Sequence, residues 1–149
     1  MVSKCDDLPF ETTIEVRDTC LCLHLQRAAR AVARRFDAAL RPLKLTSGQF
    51  SLLMSLNRPE AATIGNVSTL LAMDRTTLTA NLKPLERRGL VTVAADDADK
   101  RTRRLTLTPA GRALLGAAVP VWRRTHAEID CLLTGSSPDR LRADLRALS

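Results

Sequence analysis

Aromatic side chains are nearly missing from this 149-residue chain: three phenylalanines, one tryptophan and no tyrosine. A core must then be filled by leucine, alanine and valine, which favours packed helices over a β-sandwich. The four cysteines, Cys5, Cys20, Cys22 and Cys131, form no C-x-x-C pair, which leaves neither a zinc ribbon nor a thioredoxin-like motif. No apolar run is long enough to cross a bilayer. The start, MVSKCDDLPFETT, lacks the apolar stretch of a signal peptide. The expectation is a cytoplasmic protein without membrane contact, its thiols reduced. There is no glycine-rich phosphate loop and no pair of carboxylates in an apolar setting. Neither His24 nor His126 has a nucleophile arranged beside it in sequence. An enzyme is therefore not expected, and no cofactor is implied.

What the chain has is charge in quantity. It is 45% hydrophobic and 26% charged, the balance of one globular domain spanning 1–149. A formal net charge of +7 suits a polyanionic partner where the cations are concentrated on one face.

The apolar spacing sets the order of elements. After about a dozen frayed residues, Leu21, Leu25, Ala28, Val32, Phe36 and Leu40 recur at three- and four-residue steps and predict one helix over about 13–40, interrupted by Pro42. Thr46 or Ser47 caps a second helix carrying Phe50, Leu52, Leu53 and Leu56. Thr63 caps a short third, Ile64 to Leu71. After the tight connection Ala72-Met73-Asp74, Asp74 caps a fourth that Gly89 ends. Residues 90–94 and 104–107 read as two strands around the polar turn 96–101. Thr108-Pro109 starts a long helix to about Leu133, with Leu114, Ala118, Trp122, Ile129 and Leu132 on its apolar face. A last helix follows Pro138. Two helices joined by a tight turn and followed by a hairpin describe a winged helix-turn-helix over about 46–108, in a fold that is mainly α with a small β-hairpin wing.

In the fourth helix Leu78, Leu82 and Leu85 share one face, at about 100° per residue, and must turn inward. Thr76, Ala80, Lys83 and Arg87 lie opposite, with Thr79 on the flank. Small hydroxyls near the N-terminal end and cations near the C-terminal end suit a major groove, where threonines meet base edges and a thymine methyl. Thr76, Thr77, Thr79 and Lys83 are the expected base readers, and Arg75, at the positive end of the helix dipole, a phosphate clamp. Pro84 is expected to kink or shorten this helix, and Pro120 to act likewise in the long one. Lys100, Arg101, Arg103 and Arg104 crowd the wing; Lys100 or Arg101 at its tip would enter a minor groove. Asp99 is expected to hold the wing by pairing with Arg101.

The run DRTTLTANLKPLERRGLV, from Asp74 to Val91, resembles the recognition helix and first wing strand of the MarR family of regulators. Asp99-Lys100-Arg101, followed by LTLTPAG from Leu105 to Gly111, is similar to that family's Asp-x-Arg wing signature and the start of its next helix. RPLKLTSGQF, from Arg41 to Phe50, resembles the start of its second helix. The resemblance covers about residues 20–133. It implies a homodimer whose winged domains read a near-palindromic double-stranded DNA operator. Helices at about 13–40 and 109–149 would form the dimer interface; they are apolar beyond what one small winged domain can bury. The resemblance also implies a repressor released by a small ligand or an oxidant, with a ligand pocket between dimer helices and winged domain.

Three other readings stay open. Cys22, eight residues before Arg30, resembles the reactive position in the hydroperoxide-sensing branch of the family, with Cys20 as a second thiol; that branch uses tyrosine hydroxyls, which this chain lacks. Cys20 and His24, at i and i+4, could hold a soft metal if Cys131 or a partner chain completed the site. A winged helix can also bind protein, although the basic wing tip speaks for nucleic acid.

Overall fold

The computed structural model describes residues 8–149; the first residues of the expected frayed start, Cys5 among them, lie outside that range. The chain divides into two compact units, one ending at Arg34 and one comprising Arg35–Ser149.

The first unit holds α1 (Phe10–Thr19) and most of α2 (Leu21–Leu40). The single helix expected over 13–40 is therefore two. Cys20 leaves the helical region with φ −68° and ψ 104°. No proline or glycine marks the break. The residues before it are rich in threonine, and the Thr19 hydroxyl donates to the Glu15 carbonyl at 2.8 Å, a bond that competes with continuation of the helix. The helix also starts earlier than expected, at Phe10, immediately after Pro9.

The second unit is the winged domain with the two C-terminal helices. A short 3₁₀ turn, Arg41–Leu43, leads from α2 to α3 (Ser47–Ser55). Thr46 caps α3, and Gln49 completes the reciprocal capping box, satisfying two otherwise unpaired backbone donors. The Ser47 N–H donates to Asp37 at 2.6 Å, joining the start of α3 to the last turns of α2. Then follow β1 (Ala62–Thr63), α4 (Ile64–Leu71), α5 (Arg75–Arg87), β2 (Val91–Ala95), β3 (Arg103–Leu107), α6 (Pro109–Asp130) and α7 (Pro138–Ala147). The wing is three-stranded and antiparallel in the order β1-β3-β2, with Val93 opposite Leu105 and Ala62 on its other side. The third strand, β1, was not expected: two residues are too short to show alternation.

Among the described residues seventeen apolar side chains are buried in the core, and twelve are leucines, as the poverty in aromatics requires. Leu78, Leu82 and Leu85 of α5 meet Leu52, Leu53, Val67 and Leu105 there. The connection from α4 to α5 is held by the Met73 N–H on the Ser68 carbonyl (3.0 Å) and the Ser68 hydroxyl on the Met73 carbonyl (2.5 Å). Ala72 takes the left-handed conformation there, with φ 48°.

Neither internal proline shortens its helix. Pro84 lies inside α5 and Pro120 inside α6. In each case the carbonyl that loses its partner belongs to an exposed residue, Ala80 or Gly116, so water can replace the missing bond. In α6 the buried face is Gly111, Leu115, Ala118 and Thr125. Leu114 and Trp122 are half-buried, and Leu132 lies past the helix end and is exposed.

Gly111 sets that phase. A Cβ there would stand 2.1 Å from the Leu90 carbonyl oxygen, which itself accepts the Thr108 N–H at 3.1 Å. The obstacle is backbone and cannot swing aside. Gly111→Ala is expected to destabilise the protein by about 3 kcal/mol, the upper range for overpacking. Urea unfolding checks this; an unchanged midpoint would mean α6 does not pack this closely on the α5–β2 link.

Candidate nucleic-acid interface

The outward face of α5 is the one its leucines leave free. Arg75, Thr76, Thr77, Ala80, Lys83 and Arg87 are exposed, and Thr79 is half-buried. The three threonines differ in what their hydroxyls do. Asp74 accepts the Thr77 N–H at 2.8 Å and the Thr77 hydroxyl at 2.7 Å, and these bonds hold its carboxyl below the usual aspartate range, the N–H contributing most. Thr77 is thus committed to the helix cap. The Thr79 hydroxyl donates to the Arg75 carbonyl at 2.7 Å, which leaves only its acceptor side for a partner. The Thr76 hydroxyl makes no hydrogen bond among the described residues. Arg75, Thr76, Thr79, Ala80 and Lys83 together line one shallow recess.

Two further residues set the attitude of α5. The Asn81 side chain donates to the Thr77 carbonyl at 3.0 Å, and a Cβ on Gly48 of α3 would come within 3.1 Å of it. Arg88, just past the helix, donates to the carbonyls of Lys44 (2.6 Å) and Leu43 (3.3 Å), where Lys44 has φ 54°. Neither was singled out from the sequence, where each reads as a surface residue.

The wing turn is organised by carboxylates. The Asp96 N–H donates to the Thr102 carbonyl at 2.9 Å, and the Thr102 N–H to the Asp99 carbonyl at 2.9 Å. Asp99 does hold the turn, but not by pairing with the Arg101 guanidinium. One carboxylate oxygen accepts the Arg101 backbone N–H (3.0 Å) and the other the Thr102 hydroxyl (3.0 Å). A backbone N–H two residues ahead and a short hydroxyl three residues ahead are nearer than a long side chain, as in other Asx turns. The closer ion pair in the wing is Arg104 with Asp96, and Arg104 also reaches the Ala61 carbonyl at 3.4 Å, joining the turn to the residue before β1. Lys100 lies 3.8 Å from Asp97. The side chains of Arg101 and Arg103 have no ion pair or hydrogen bond among the described residues, nor has that of Arg75.

The cysteines are placed differently from what metal binding requires. His24 hydrogen-bonds the Cys20 carbonyl through Nδ1 at 2.8 Å, so the two meet through backbone and not through the thiol. Cys22 is exposed, and its sulfur accepts from Gln26 at 3.4 Å. No group of three potential ligands gathers among the described residues, and no helix among them is long and apolar enough to cross a membrane.

Arg104 is the first cause of the lowered Asp96 carboxyl, followed by the N–H groups of Ala98 and Asp99. A carboxyl depressed in the fold contributes order above its unfolded value and loses it as pH falls through the folded one. The wing turn is expected to loosen only below the ordinary aspartate range. Arg104→Ala is expected to return the Asp96 titration toward that range. Carboxyl carbon shifts followed by NMR against pH measure both; an Asp96 that titrates like a free aspartate would remove the clamp.

Comparison with known proteins names the family. Residues 45–102, from the start of α3 to the wing turn, match the MarR family. The chain is 33% identical over 138 residues to the HTH-type transcriptional regulator TtmR of Methylorubrum extorquens, covering 89% of this chain and 65% of that protein. It is 31% identical over 101 residues to the organic hydroperoxide resistance transcriptional regulator of Bacillus subtilis, covering 68% and 69%. The M. tuberculosis transcriptional regulator MosR, solved in complex with DNA, superposes with a TM-score of 0.77 at 40% identity over 87% of this chain and 92% of that one. These relatives are regulators and not enzymes, and the chain belongs to the MarR family of transcriptional regulators.

Proposed function

We propose that the protein is a sequence-specific regulator that binds double-stranded DNA as a homodimer and is released from it by a signal. The observation that carries this reading is the continuous face made by α5 and the wing tip. On it Arg75, Thr76, Lys83, Arg101 and Arg103 are exposed, while the wing's acidic side chains Asp96, Asp97 and Asp99 are engaged by neighbours in the turn. Thr76 and Lys83 read bases in the major groove, Thr79 assists through its acceptor oxygen, and Thr77 serves the cap. Arg75 holds backbone phosphate. Lys100 and Arg101 reach the minor groove.

The partner is a second copy of the chain. Leu8, Phe10, Val16 and Leu21 of the first unit are more than half exposed, as are Leu132 and Leu148 of the second. So much apolar surface near both ends calls for cover, and a two-fold dimer would present two winged domains to a near-palindromic site. Release by a small molecule has a place. A cavity of about 480 Å³ lies between α3, α4 and α6, lined by Phe50, Met54, Leu70, Leu71, Val119 and Trp122, with Arg123 its one charged residue.

Gel-shift titration against duplexes at several salt concentrations tests the reading. Arg101→Ala is expected to weaken binding to most sequences and to lower the log–log salt slope by about two, one for each wing of the dimer; unchanged affinity and slope would end the wing's role. In discrimination between sequences, Thr76→Ala is expected to cost more than Lys83→Ala, by about 1–3 kcal/mol per lost base contact. The opposite ranking would move base reading to the C-terminal half of α5.

A second reading is favoured by the exposure of the Cys22 thiol and by the hydroperoxide-responsive relative. In it, oxidation of Cys22 is the releasing signal. A mild oxidant would then abolish the gel shift in the wild type and spare it in Cys22→Ser. A shift indifferent to oxidant would leave regulation to the cavity.

A further inference from the structure

We propose that the cleft between α5 and the wing seats one phosphodiester of the DNA backbone, gripped from its two walls by Arg75 and Arg103. This rests on the DNA reading above and adds to it a site of stated chemistry.

The cleft has a volume of about 360 Å³ and is lined by Arg75 and Thr79 of α5, Arg101 and Arg103 of the wing, and Thr63 and Gly65 at the start of α4. Three arginines therefore border one space, and no acidic residue lines it. None of the three has an ion pair or side-chain hydrogen bond among the described residues, whereas their neighbours Arg104 and Lys100 do. Like charges gathered this way repel one another, and an anion between them removes the cost. The forked donors of arginine fit phosphate oxygens two at a time.

Groove geometry identifies the anion. A helix in the major groove and a wing in the neighbouring minor groove are separated by one sugar-phosphate strand, so whatever lies between helix and wing faces that strand. The recess that holds Thr76 and Lys83 shares Arg75 and Thr79 with the cleft. The base-reading face and the backbone seat are thus side by side, as they must be if one strand edge passes from one to the other. Arg75 becomes the hinge of the interface, common to both.

The test uses a duplex that the wild-type protein selects from a random-sequence library, remade with uncharged methylphosphonate linkages at each symmetry-related pair of positions in turn. One such pair, one linkage in each half-site, is expected to lower wild-type affinity about a hundred-fold, ten-fold for each charged hydrogen-bonded contact. Arg75→Gln and Arg103→Gln, each present in both protomers, are expected to lower affinity about a hundred-fold on the natural duplex and to have no further effect on the duplex carrying that pair. Either variant, and the double variant alike, is expected to lower the salt slope by about two, one for each half-site. Both side chains are exposed, so the variants are expected to melt with the wild type. Variants relieved by different linkages, relieved by none, or lowering the slope additively would overturn the shared seat. If the wild type selected no duplex at all, the DNA reading itself would fail, an outcome distinct from loss of the seat alone.

Discussion

Leu78, Leu82 and Leu85 lock α5 into the core, and their spacing decides which residues of that helix are left to face outward. Each is at most 5% exposed, and the three share one buried cluster with leucines and a valine contributed by α3, α4 and the wing. Rotating the helix by a single residue, about 100°, would bury Thr79 or Lys83 and expose a leucine. Removing a leucine of this kind from water is worth about 2 kcal/mol, so three together fix the rotation far more firmly than any polar contact on the outer face. The recognition surface is thus a by-product of the core: Thr76, Ala80 and Lys83 point outward because the leucines cannot.

Rotation is only one of the coordinates that a reading helix must hold; its tilt and its distance from the wing also count. Those are set by backbone contacts at close range. Arg88 hooks the far end of α5 to the 3₁₀ turn, the absence of a side chain at Gly48 lets α3 approach Asn81, and Gly111 lets α6 press on the Leu90 carbonyl where α5 passes into β2. The first and the last work against main-chain atoms, which do not relax by rotamer change. An element that carries hydrogen-bond donors to a ligand gains from this, because the donors are held in place before the ligand arrives and their ordering cost is met in folding.

Local chemistry was legible in the sequence, and longer-range choices were not. The caps Thr46, Thr63, Asp74 and Thr108 follow from a side-chain oxygen reaching a backbone N–H three residues on, a contact that needs no knowledge of the rest of the chain. The amphipathic face of α5 is legible for the same reason. The division at Cys20 was hidden because neither proline nor glycine marks it. The one-residue phase error in α6, Leu114 for Leu115, arose because both leucines fit a three- or four-residue step from Ala118, and the close approach of Gly111 to the Leu90 carbonyl is invisible to an apolar count. In the site, the residue types of the wing were evident, but not their pairing. Asp99 had two kinds of donor within reach, and the shorter path to backbone won. Arg104, grouped with the other wing cations, is instead taken up by Asp96.

That last point changes what the charge of the chain means. A net charge of +7 places the protein among candidates for polyanion binding and goes no further, since a paired cation contributes little field beyond its own partner. The useful count is of cations without a local counter-charge and of where they point. In the wing, the aspartates do not cancel the arginines evenly. Asp96 takes Arg104, Asp99 is turned onto the Arg101 N–H and the Thr102 hydroxyl, and Asp97 stands beside Lys100. Arg101 and Arg103 are left on the side that faces α5, together with Arg75. The acidic residues of the turn therefore work for anion binding and not against it: they shape the loop, hold it to the sheet, and leave the positive groups converging where a phosphate chain would pass. Reversing a carboxylate would raise the net charge and still weaken the interface, because it would release the geometry that gathers the arginines.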